Sequence, residues 1–142
     1  LGRINAGRVV LGGLVAGVVA NALDFVINAF LMNEEGADMA QRLNLSQAAL
    51  DSSVTVWIVV DFIWGLLLVF AYAAFRPRFG PGPKTAALSG FTLWFAVCIM
   101  FGGLMSMGIF TPPGFIKYSA LTLVSALAAS LAGAAIYQEQ AP

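Results

Sequence analysis

The 142-residue chain contains no histidine, and that absence removes whole classes of chemistry. A histidine-ligated haem, a histidine zinc site and a Ser-His-Asp triad cannot be assembled without an imidazole. One cysteine, Cys98, excludes an internal disulfide, a Cys-only metal site and a CxxC redox pair. Charge is scarce as well: 10% of residues are Asp, Glu, Lys or Arg, against about a quarter in soluble domains. The seven basic and seven acidic residues cancel, and neither a basic tract nor a GxxxxGK[ST] loop is present to hold nucleic acid or a nucleotide phosphate. The expectation is a protein with no catalytic residues, no metal site, no required cofactor and no nucleic-acid partner.

What is abundant is apolar: 60% of the residues are hydrophobic. A soluble protein of this composition and zero net charge would precipitate. The length suits one domain, 1–142, and the composition places that domain in lipid. Crossing ~30 Å of hydrocarbon takes about 20 apolar residues. Four runs qualify, at about 9–32, 54–75, 85–107 and 115–137. They are continuously apolar, whereas barrel strands alternate, so the fold class read from them is an all-α, up-down bundle of four transmembrane helices. Helix punctuation supports the boundaries. Ser52, Ser53 and Thr55 stand where hydroxyls cap free N–H groups at the second span. Arg76-Pro77-Arg78-Phe79-Gly80-Pro81-Gly82-Pro83 reads as a helix breaker, and Thr111-Pro112-Pro113 as a cap followed by a first turn.

Positive charge sets the direction. Arg3, Arg8, Arg76, Arg78 and Lys84 fall on one side, and Arg42 and Lys117 on the other with Glu34, Glu35, Asp38 and Asp51. The positive-inside bias then makes both termini cytoplasmic. Arg3, Arg8 and Ala20-Asn21-Ala22 also resemble a signal peptide with its cleavage site. The apolar run continues through Leu23, Phe25, Val26, Ile27, Phe30 and Leu31, which favours a span. Between the first two spans, Met39, Ala40 and Leu43 suit a short helix on the outer membrane surface; a solvated connector is the plainer reading.

Helices in lipid associate through small residues and hydrogen bonds. Gly13 and Gly17 form a GxxxG on the first span, and Ser125, Ala129 and Gly133 form a four-residue stripe on the fourth. Both read as contacts inside the bundle. Tyr72, Tyr137, Trp57 and Tyr118 suit interfacial aromatic belts. Cys98 reads as an apolar filler, and Phe91, Trp94 and Phe95 as packing or a platform for a ring-shaped ligand.

Two features of the first spans carry chemistry. Asp24 and Asp61 lie inside apolar helices, where a carboxylate costs roughly 2.5 to 3.5 kcal/mol at the centre and needs a partner. Asn21, Asp24 and Asn28 share one face of the first helix, and Trp57, Asp61 and Trp64 share one face of the second. Antiparallel neighbours would bring both acids to one level. There they either share a proton and hydrogen-bond to Asn21, Asn28 or an indole N–H, fixing helix register, or they bind and release a proton or small cation. Lys117 would neutralise one acid or extend to water.

The segments Gly7-Arg8-Val9-Val10-Leu11-Gly12-Gly13, Asp24-Phe25-Val26-Ile27-Asn28 and Arg76-Pro77-Arg78-Phe79-Gly80-Pro81-Gly82-Pro83-Lys84-Thr85-Ala86 resemble a family of short bacterial four-span membrane proteins without an assigned activity. The resemblance covers most of the chain. It implies a multi-pass protein of the bacterial inner membrane and carries no site residues. The leading functional expectation is a non-enzymatic accessory or stabilising subunit of a larger bacterial membrane complex of respiratory or photosynthetic type. Its partners would be membrane lipids and other integral membrane subunits, with room for a bound lipid, quinone or pigment. The alternative is a small proton- or cation-coupled carrier or channel using Asp24 and Asp61.

Overall fold

Where water is absent, each backbone N–H must find its carbonyl within the segment, and long apolar runs therefore coil. The computed structural model describes residues 3–139; Leu1, Gly2, Gln140, Ala141 and Pro142, the ends of the expected domain, lie outside the described residues. Those residues form α1 (Ala6–Val26), a π turn (Ile27–Leu31), α2 (Asn33–Arg42), α3 (Gln47–Phe79), α4 (Pro83–Ser106) and α5 (Pro112–Ile136), with no strand among them. Four helices are long and apolar enough to span a membrane: α1 with its π turn, α3, α4 and α5.

Two local readings are corrected. Ser52 and Ser53 do not cap α3; they lie inside it and donate to the carbonyls of Ala49 (3.0 Å) and Leu50 (2.7 Å). A hydroxyl within a helix bonds back in this way, and the cap is Ser46, whose side chain accepts from the Ala49 N–H at 3.2 Å. Nor does Pro77 stop α3. The helix continues through it to Phe79 and ends at Gly80, whose φ of 80° is open to glycine. Pro77 deprives only one carbonyl of its donor, and two residues later the helix is over. At 33 residues α3 is about 50 Å long, so both ends project beyond a ~30 Å hydrocarbon layer. Thr111 caps α5 by accepting from the Gly114 N–H at 3.3 Å, with Pro112 and Pro113 in the first turn.

Register shows the helices alternating in direction. Gly13 lies on Leu66 and Gly17 on Phe62, so α1 and α3 are antiparallel. Gly12 lies on Gly133 while Asp24 meets Ser125, so α1 and α5 are antiparallel too. Ser89 meets Ser130 and Trp94 meets Ser119, which does the same for α4 and α5.

Packing is uneven along the bundle. In the half nearest the chain termini the backbones touch. A Cβ on Gly65 would stand 2.4 Å from both the Gly13 carbonyl oxygen and the Gly17 nitrogen. Gly133 is pressed between Val69, Gly12 and Ala16. Leu68, Val69, Ala16 and Ala129 are fully buried there. Ser89 and Ser130, also fully buried, lie 2.9 Å apart and both within 2.9 Å of the Ala86 carbonyl, so their two hydroxyl protons tie α4 to α5. Tyr72 and Tyr137 are buried edge to face rather than lying on an aromatic belt, with the Arg76 guanidinium over both rings. A cation over two ring faces gains attraction that an interfacial position would not give. In the opposite half the glycines meet no neighbouring backbone (a Cβ on Gly103 would have nothing within 4 Å, and one on Gly102 only the tip of the Phe115 ring at 3.9 Å), and the helices part.

Candidate functional site

The parting leaves a cavity of about 850 Å³ bounded by α1, the π turn, α2, α3 and the facing ends of α4 and α5. Its lining is mainly apolar. From α2 and the residue before it come Met32, Glu35, Gly36, Met39 and Arg42, three or four apart and hence on one helix face. That face closes over the mouth, and two polar ties hold it. Lys117 of α5 donates to Glu35 at 2.7 Å. Arg42 donates to Asp38 at 2.8 Å and to the carbonyls of Gly108 (2.8 Å) and Ile109 (3.3 Å), past the end of α4. The Lys117 hydrogen bond holds the Glu35 carboxyl below its usual range. Lys117 therefore engages α2 and neutralises neither intramembrane acid.

Asp24 and Asp61 both line this cavity, and their carboxyls lie within hydrogen-bonding reach of each other. Asp24 accepts from the Ser125 hydroxyl of α5 at 2.7 Å. Asp61 is 8% exposed and receives no hydrogen bond from an N–H or hydroxyl among the described residues. The donors expected from sequence are employed elsewhere. Asn21 bonds the Gly17 and Ile58 carbonyls (3.0 and 3.3 Å), cross-linking α1 to α3. Asn28 bonds the Asp24 backbone carbonyl at 2.8 Å, inside the turn where the helix widens to π spacing. That carbonyl is the acceptor of a regular helical bond, and a competing side-chain donor suits a π bulge.

The indoles do not donate to the acids either. At 3.6 residues per turn Trp57 and Trp64 sit about 40° and 60° to one side of Asp61, off the line toward α1. Trp57 is 54% exposed and lines the cavity, whereas Trp64 packs against the core near the termini. Of the packing residues, Gly13 and Gly17 face α3, Gly133 meets Gly12 and Ala16 of α1, Ala129 is fully buried in the core, and Ser125 combines burial with the bond to Asp24. Phe91, Trp94 and Phe95 stack on one another away from the cavity, and Trp94 donates to the Ser119 carbonyl at 3.0 Å. Cys98 is partly buried.

Sequence reasoning set Tyr118 on an aromatic belt, whereas it walls the cavity, and missed Phe101 and Phe110 beside it and Ser125 as a partner of the acids. The sequence reading put the inward face of the short helix α2 at Met39, Ala40 and Leu43, of which Met39 lines the cavity. Nothing in the sequence signalled that the ends of α4 and α5 would face it. In comparisons with known proteins, no family model, no curated protein and no solved structure matches the chain.

Proposed function

We propose that the chain is a non-enzymatic multi-pass protein of the bacterial cytoplasmic membrane that acts as a small proton- or cation-coupled carrier. Asp24 and Asp61 are its exchanging groups. One observation carries the reading: two carboxyls meet on the wall of a cavity about 850 Å³ in volume, and one of them has no protein donor. Two ionised carboxylates in an apolar wall repel, so the pair retains a proton or takes up a cation. A merely structural pair would be closed by neighbouring amides, whereas Asn21 and Asn28 turn to backbone carbonyls. With Arg3, Arg8, Arg76, Arg78 and Lys84 at one end, both termini are cytoplasmic and the cavity faces the periplasmic side. In proteoliposomes, Asp24→Asn and Asp61→Asn each abolish cation-dependent proton flux without changing the size-exclusion profile. Flux equal to wild type in both variants overturns the reading.

The accessory-subunit reading draws on a separate observation. Helix α4 packs mainly on α5 and α3 and turns Phe91, Phe95, Ile99 and Met100 outward, each about half to three-quarters exposed. That strip suits a helix of a partner complex as well as it suits lipid.

A further inference from the structure

The cavity is far larger than a proton or a bare metal ion needs. Its volume lies in the ~300–1,000 Å³ range of sites that enclose small organic molecules. A hard metal ion asks for about six oxygen ligands. Among the described residues no group of three or more carboxylates, cysteines or histidines could gather around one. The surrounding wall is aromatic and aliphatic, with Trp57, Phe101, Phe110 and Tyr118 offering ring faces and edges.

Charge singles out the same place. Five ionisable groups line the cavity: Asp24 from α1, Glu35 and Arg42 from α2, Asp61 from α3 and Tyr118 from α5. Glu35 is matched by Lys117, and Arg42 by Asp38 and two carbonyls. The mouth is thus internally neutral. The acid pair is the one charged feature of the lining without an opposite charge among the described residues. Asp61, 8% exposed, lines the cavity and has the Asp24 carboxyl as its polar neighbour there, with no N–H or hydroxyl bonded to it among the described residues.

We infer that the cavity binds a monovalent organic cation with an apolar body, its charge on the Asp24–Asp61 pair and its body against Trp57, Phe101 and Phe110. The inference rests on the carrier reading and names its substrate class. Binding replaces the proton held by the pair, which leaves to water through the mouth, so one positive charge enters as one departs. Aromatic faces attract such a cation, most strongly where water is excluded. The cation can be a free lipophilic molecule or the amine headgroup of a membrane lipid.

The test is a calorimetric titration of the purified full chain in an uncharged detergent with tetraphenylphosphonium, in two buffers of different ionisation enthalpy. Wild type binds the probe and releases about one proton. Asp61→Asn weakens binding by about thirtyfold or more, the effect of removing one member of a buried charge contact. Trp57→Leu, which leaves the acids in place and guards against misfolding of the Asn variant, weakens it several-fold. Added phosphatidylethanolamine that displaces the probe makes the lipid amine the occupant; failure to displace it makes a free cation the occupant. Equal affinity in wild type and both variants overturns the inference. So does an absence of binding alongside Asp-dependent proton flux, and in that case the carrier reading survives. Absence of both binding and flux removes the two together.

Discussion

Single residues decide how closely these helices approach. Gly65 has the backbone of α1 where a side chain would stand, and backbone cannot rotate away. Gly65→Ala therefore forces α1 and α3 apart and should destabilise the protein by about 1–3 kcal/mol, the usual cost of overpacking. Gly103→Ala, with nothing within 4 Å of its added methyl, serves as the control and should stay near wild type. Reversible unfolding in mixed micelles of increasing SDS content measures both; equal stability of the two variants would contradict the close approach. The Gly13–Gly17 spacing was legible because small residues four apart mark a face. Its partner Gly65 was not, because a lone glycine in an apolar run carries no periodicity. The acids were legible for the opposite reason: charge inside a span stands out at once. Which donor would reach them could not be read, since that depends on the rotation of α5, and the sequence offered two asparagines close by.

At the scale of elements, α2 is the least securely held. No residue within it is buried, and it is retained by Lys117–Glu35 at one end and by Arg42 at the other. The lowered Glu35 value sets the direction of its pH response. A carboxyl held below its ordinary 4.5 contributes fully at pH above that value and loses its contribution as pH falls through the lowered one. Acidification to well below that ordinary value should therefore free the Glu35 end of α2, while the Arg42 bonds to the Gly108 and Ile109 carbonyls persist. Hydrogen exchange over residues 33–42 should quicken, and Glu35→Gln should reproduce that at neutral pH. Exchange unaffected by either change would show that the ion pair does not retain the helix. The four long helices were plain from hydrophobic length. The boundaries of α3 were not, because polar residues 47–53 prolong it outside lipid and because a proline in a last turn does little harm.

Over the whole molecule all four long helices expose large apolar side chains, among them Val18, Ile63, Ile99 and Val124, as expected of a chain surrounded by lipid. Should Phe91, Phe95, Ile99 and Met100 face a partner helix instead, extraction in mild detergent from the native membrane will bring that partner along. Charged substitutions such as Phe95→Glu will then release it. A particle of constant mass, alone under every mild condition, counts against the accessory role. The contrast between the two halves has a consequence of its own. Anything that enters past α2 reaches the level of Asp24 and Asp61, and beyond it lies the closely packed half in which Ala16, Leu68 and Val69 are fully buried. One copy is thus shaped as a cup rather than a tube: in this conformation a guest departs by the doorway it used, and delivery to the far side demands that the floor itself give way.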